Sequence, residues 1–324
     1  MNTRLALHEL IRQHGLQRPA AQALFDAAGL DAEPPAVRRW LWPAVAVLAA
    51  ALLGLGVILW LAANWESLGR AGRFALLQGV VVAMGVGAAL RPALRPALGL
   101  LALLCIGGLF AYFGQTYQTG ADAWQLFAVW AVLALPFCLG ARSDVLWAPW
   151  ALVVMTGISL WTFAHTGHRW RVEPQDLDVY TMAWAAAVLT VLALSPIAAP
   201  WTGAGPWAMR TAATLGVVAV TVSAIGALFH KGVASHYPLA LFLFAVSAAA
   251  LAQRRAFEIF TLSAVALGLN TLLVTGLARW IFDLGGRDYV GKLLLLGLVA
   301  AGLLAVSVSL ILKLARRYAV EDAA

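Results

Sequence analysis

The sequence predicts an all-α polytopic membrane protein, a transmembrane bundle of about ten helices preceded by a small cytoplasmic helical hairpin. Three observations predict it. The 324 residues are 62% hydrophobic and only 11% charged, whereas a soluble domain carries about 25% charged residues, so lipid must solvate most of the chain. The apolar residues fall in long uninterrupted runs, the first from Leu41 to Ala63 without a charge, and roughly 20 apolar residues suffice to cross a hydrocarbon layer as a helix. The runs also lack alternation of apolar and polar residues. Because backbone groups in lipid must be satisfied within the segment, such runs select helices over a barrel.

Residues 1–35 form the one sizeable soluble segment. Leu5, Leu10 and Ile11 share a helical face that Gly15 breaks, Pro19 restarts a helix carrying Leu24 and Phe25, and Gly29 with Pro34-Pro35 ends it. A hairpin this small buries no core of its own. It is therefore expected to pack on the membrane domain or to dock a protein partner. Its second helix, PAAQALFDAA, offers no basic or amide face for a DNA groove.

The membrane domain is expected over 36–316, with spans at 41–63, 74–91, 97–114, 122–140, 146–164, 180–199, 211–229, 237–252, 257–280 and 289–312 and a cytoplasmic tail at 317–324. The eighth span is short. Short polar turns make neighbouring spans antiparallel. Net charge is +7, yet Lys and Arg sit singly or in pairs at span ends rather than in a stripe, which excludes a nucleic-acid partner and leaves the lipid bilayer as the expected one. With the N-terminus inside, fourteen of the 22 Lys and Arg fall on the inner side and eight on the outer, so the positive-inside bias places both termini in the cytoplasm. Trp40 and Trp42 flank one end of the first span, and Trp65, Trp124, Trp161 and Trp280 lie near outer ends, as an interfacial belt would. Cys105 and Cys138 lie within apolar runs and read as small buried hydrophobes. A search for a five-plus-five inverted repeat finds none; the nearest self-similarity joins the turns after Trp65 and Trp280, which lie on the same side.

Polar residues collect at the expected outer face. The first turn supplies Asn64, Trp65, Glu66, Arg70 and Arg73; the third-to-fourth turn supplies Gln115, Tyr117, Asp122 and Trp124; the last supplies Asp283, Arg287 and Asp288. Acids and amides near the bilayer are costly unless paired or wet. Together these residues could line the mouth of a solute path with Glu66 or Asp122 as the coupling carboxylate. The plainer reading is local: Glu66 pairs with Arg70 at i+4, and Asp122 is an N-cap. Asn270 is an amide well inside a span, placed either to touch a substrate or to make one interhelical hydrogen bond. His165 and His168, with Glu173, Asp176, Asp178, His230 and His236 expected on the same side, are weak metal candidates, since no HExxH or CxxC spacing accompanies them. Walker, GxSxG and dinucleotide motifs are missing, so no cofactor is implied.

LLGLGVILWLAANWESLGRAGRFALL and FGQTYQTGADAWQLFAVWAVLALPF, behind the small helical hairpin, resemble a family of bacterial membrane proteins catalogued as domain of unknown function 2157. The shared features are Asn64-Trp65 at the end of the first span, Arg70 and Arg73 after it, Gln115 and Tyr117, and Trp130 in a Trp-rich span. The resemblance covers roughly residues 1–140 and implies a bacterial inner membrane, without naming an activity. The expected function is transport or translocation of a small or amphipathic solute. The alternatives are a scaffold that docks a partner through residues 1–35, and a membrane-embedded enzyme acting on an envelope lipid with Asp122 or His168 as acid or base.

Overall fold

The computed structural model describes residues 3–28, 41–64, 69–117, 122–167, 172–285 and 288–323. These residues form thirteen α-helices and no strand. α1 (Thr3–Gln13) and α2 (Arg18–Ala27) make the N-terminal hairpin, closed by His8 edge-on against Phe25 with ring centroids 5.2 Å apart. Among the described residues the hairpin packs on itself and makes no extensive contact with the membrane helices.

The membrane domain comprises α3 (Trp42–Ala63), α4 (Arg70–Leu90), α5 (Arg95–Tyr117), α6 (Ala123–Ala141), α7 (Asp144–Thr166), α8 (Leu177–Ala193), α9 (Ala199–Thr202), α10 (Pro206–Leu228), α11 (His236–Leu251), α12 (Ile259–Asp283) and α13 (Tyr289–Ala323). Nine helices among the described residues are long and apolar enough to span a membrane. α11 has 16 residues, about 24 Å of helix, and is the short eighth apolar segment of the sequence reading. Three boundaries differ from expectation. α8 stops at Ala193 rather than 199, because Pro196 disfavours helix in the residue before it. α10 starts at Pro206 rather than 211, with the ring at the first helical position, where a missing N–H costs nothing. α13 runs through the expected tail to Ala323, since no Gly or Pro follows Gly302 to end it.

Two helices act as hubs. α5 packs on α3, α4, α6 and α7, and α10 packs on α7, α8, α11 and α12. α13 leans on α12. Aromatic side chains lock neighbours together by donating to backbone carbonyls. Trp130 Nε1 on α6 donates to Leu103 O on α5 at 2.9 Å, and Tyr237 Oη on α11 donates to Leu272 O on α12 at 2.7 Å. In both cases the ring lies over the glycine four residues beyond the acceptor, Gly107 and Gly276, where a Cβ would collide with the aromatic group. Only glycine admits so close an approach.

The basic end of the bundle, where the spans meet Arg91, Arg95, Arg142, Arg210, Arg254 and Arg255, is tied by longer-range polar contacts. Asp144, in the first turn of α7, accepts from the N–H groups of Gly205 (2.7 Å), Trp207 (2.9 Å) and Ala208 (3.3 Å), and so caps α10 from another helix. Arg142 Nη2 donates to Pro200 O at 2.7 Å and Trp147 Nε1 to Thr202 O at 3.0 Å, fastening α7 to α9. Glu258, the N-cap of α12, accepts from Thr261 N (2.6 Å) and Oγ1 (2.7 Å) through one oxygen and from Arg210 Nε (3.1 Å) and Nη2 (2.8 Å) through the other. Tyr318 Oη donates to Ala252 O at 2.7 Å and anchors the extended end of α13.

Two outcomes follow. Gly107→Ala forces Trp130 away from Leu103 and lowers stability by about 1–3 kcal/mol, the cost of overpacking, seen as a lower Tm in detergent; Gly56→Ala, which faces open space, leaves Tm unchanged or higher. Burial raises the affinity of Glu258 for a proton, but Thr261 and Arg210 outweigh it and hold the carboxyl below the ordinary 4.5. Its contribution is therefore present above that value and lost as pH falls through the lower folded value. Glu258→Gln removes about 1.5–3 kcal/mol near neutral pH and flattens the acid limb of a Tm-against-pH curve.

Candidate functional site

The structure describes part of the outer-face set. Trp65, Glu66, Arg287 and His168 lie outside the described residues. Asn64 follows α3 as its C-cap, Nδ2 donating to Trp60 O at 2.9 Å. Arg70 opens α4, and Gln115 and Tyr117 lie in the last turn of α5. Arg73 holds its guanidinium 5.7 Å from the centroid of the buried Tyr112 ring. Asp122 is the N-cap of α6 but caps through backbone alone, its carbonyl accepting from Gln125 N at 3.0 Å and its side chain making no cap bond. Asp283 accepts from Arg279 Nε at 3.3 Å, and Asp288 caps the start of α13 by accepting from Gly291 N at 2.9 Å. α3, α4 and α6 all pack on α5, so the first-turn and third-to-fourth-turn candidates sit on helices that share α5, whereas Asp283 and Asp288 belong to the α12–α13 pair.

The remaining candidates have local partners. Asn270 Nδ2 on α12 donates to Ser307 Oγ on α13 at 2.9 Å and its Oδ1 accepts from the same hydroxyl at 3.3 Å, the interhelical pairing that the residue type most simply provides. His165 Nδ1 pairs with Trp161 O at 2.8 Å, and its ring lies over that indole at 4.5 Å between centroids, with Trp124 at 6.2 Å. No cluster of three or more metal-ligating side chains occurs among the described residues. Trp124 borders an apolar crevice of about 350 Å³ between α6, α7 and α8, shared with Phe127, Trp161, Met182, Ala183 and Ala186.

What the fold does bring together lies at the end opposite the basic one, where α8 and α11 begin and α10 and α12 finish. Glu173 Oε2 stands 3.4 Å from His230 Nε2, and Arg279 Nη1 donates to His230 O at 3.2 Å. Beneath them His236, the first residue of α11, is fully buried. Its ring meets Tyr180 edge-on at 5.0 Å and Trp184 at 6.4 Å. Asp176, in the turn that leads into α8, acts electrostatically on both His236 and Tyr180. Neither ring nitrogen of His236 has a hydrogen-bond partner of ordinary geometry, nor has the buried Oδ2 of Asp176. Each such group costs about 1–3 kcal/mol when left unsatisfied, and buried polar atoms without partners are scarce in folded proteins. A buried imidazole beside a half-buried carboxylate and a phenol can bind a polar group that supplies the missing hydrogen bonds.

The comparisons with known proteins fall on the other half of the chain. Residues 8–147 match the family model described as Predicted membrane protein (DUF2157). The matched segment holds α3–α6, most of α1, all of α2 and the first turn of α7, so it includes Asn64, Arg73, Asp122 and Trp130. The His236 cluster lies wholly beyond the DUF2157 match. No curated protein and no solved structure matches the chain. Sequence reasoning placed Glu173, Asp176, His230 and His236 on one side but had no signal for burial; the cue was a histidine directly ahead of the apolar run YPLALFLF. Asn270→Leu is expected to lower stability by only about 0.6–1.7 kcal/mol, as for other intramembrane hydrogen bonds, measurable as a small fall in Tm.

Proposed function

We propose that this protein is a proton-linked membrane carrier of a small amphipathic solute, with both termini on the cytoplasmic side of a bacterial inner membrane. The observation that carries the reading is the fully buried His236, its ring nitrogens without a hydrogen-bond partner of ordinary geometry, beside the half-buried Asp176 in a chain of membrane-spanning helices. Ionisable groups within a bilayer are expensive and are retained where a proton, ion or substrate meets them. The coupling groups in this reading are His236 and Asp176 rather than Glu66 or Asp122. The solute's polar end takes the open hydrogen-bond positions of the pair, with Glu173, His230 and Arg279 at the approach. Its apolar part takes the crevice bordered by Ala183 and Ala186, one and two turns along α8 from Tyr180.

The test is single-cysteine labelling in intact cells with a membrane-impermeant maleimide, in a Cys105→Ala, Cys138→Ala background. His236→Cys is expected to label, since a carrier must expose its site to water in part of its cycle. Asp122→Cys, exposed at the same end, is the positive control. Silence at position 236 while position 122 reacts would sink the proposal. A second reading rests on a different observation: among the described residues α1 and α2 make no extensive contact beyond each other, and an amphipathic hairpin placed so suits a scaffold that docks a protein. Deleting residues 1–28 would then release a co-purifying partner and leave the Tm of the membrane domain unchanged.

A further inference from the structure

α4 ends in a chemical predicament that its own sequence creates. The carbonyl of Ala88 would accept from the N–H four residues on, but that residue is Pro92, which has none. Arg95 resolves it: its Nε donates back to Ala88 O at 3.1 Å across the α4–α5 turn. The bond fixes a half-buried guanidinium at the basic end of a partly open crevice of about 340 Å³ between α4, α5 and α6. Gly85, Ala89, Gly99, Pro136 and Phe137 line that crevice, which is nearly free of branched side chains. Among the described residues Arg95 makes no ion pair, and its two terminal nitrogens donate to no protein atom. The carboxylate on the neighbouring α6–α7 turn, Asp144, is already shared among three backbone amides. Arg91, exposed on the same turn, adds a second cation.

We propose that this crevice is a binding site for an anionic glycerophospholipid of the leaflet that the basic end faces. Its phosphodiester takes the two free nitrogens of Arg95, and one acyl chain lies along the groove between α4, α5 and α6. The charge is complementary, since a guanidinium presents two parallel donors to two phosphate oxygens, and basic pockets between membrane helices suit acidic head groups. The groove is complementary in the other sense: walled mainly by Gly and Ala on three helices, with Arg95 as its one charged lining residue, it has room for a flexible hydrocarbon chain.

The experiment uses the delipidated full chain in a neutral detergent, titrated with phosphatidylglycerol or phosphatidylcholine and followed by Tm and by native mass spectrometry of retained lipid. Phosphatidylglycerol is expected to raise Tm and remain bound, with phosphatidylcholine about tenfold weaker. Arg95→Gln should weaken phosphatidylglycerol binding about tenfold, as for loss of a charge-assisted pair. Ala89→Leu keeps the guanidinium in place and fills the groove, so it should also lose the lipid; it guards against a folding defect in Arg95→Gln. Arg255→Gln, an exposed cation at the same end, should change nothing. Equal binding of both lipids overturns the proposal. So does a loss with Arg255→Gln as large as that with Arg95→Gln, which would mean general surface charge. Displacement by millimolar inorganic phosphate would also overturn it, in favour of a soluble phosphate site.

Discussion

Hydrocarbon supplies no hydrogen bonds, and that constraint organises this molecule more than any single contact. Every polar side chain placed between the two ends has to find its partner in the protein. Most serine and threonine hydroxyls turn back onto their own helix; Thr190, Ser223, Thr271 and Thr275 all donate to a carbonyl four residues earlier. Larger donors reach across. Trp130, Trp150 and Tyr237 each cross to a carbonyl on another helix, and thereby fix which helices are neighbours. A carbonyl that already serves its own helix keeps a second lone pair, so these cross-links cost the acceptor helix nothing.

The two ends of the bundle meet the same constraint differently. At the basic end the carboxylates are over-served: Asp144 holds three amides, and Glu258 holds four donors from two residues. Those bonds join α7 to α10 and α10 to α12, so that end behaves as one cross-braced layer. At the other end Glu173, His230 and Arg279 form looser, half-exposed contacts, and His236 and Asp176 have open hydrogen-bonding positions. Buried atoms without a hydrogen-bond partner also occur at Trp124 Nε1 and Thr221 Oγ1, so His236 and Asp176 stand out by their clustering rather than by lacking partners.

Helix class, the long apolar helices and most boundaries were legible in the sequence because they depend on local quantities, namely apolar run length and the positions of Gly and Pro; the four-residue α9 was not. The errors were local too: Pro196 ended α8 early, Pro206 started α10 early, and nothing stopped α13. The site was far less legible. Asn64, Asp122, Asp283 and Asp288 read as one vestibule because turns on one side of a membrane are indistinguishable until the order of packing is known. The packing puts Asn64 and Asp122 on helices that share α5, and Asp283 and Asp288 on the α12–α13 pair. His236 could be read as an ordinary loop histidine, since burial arises only when α8, α10, α11 and α12 converge. Asp144 carried no signal in the sequence, since its three partners lie more than sixty residues further on.

The position of Asp144 also bears on how this chain can be taken apart. Similarity to the DUF2157 family ends at residue 147, and Arg142, Asp144 and Trp147 all lie in the last few residues of that segment. Their acceptors and donors, Pro200, Thr202, Gly205, Trp207 and Ala208, all lie outside it. The segment that matches the family model thus stops in the middle of a mechanical joint. A chimera cut at that seam would carry a carboxylate tailored to a helix it no longer had, and any transplant of the family segment has to bring α9 and the first turn of α10 with it.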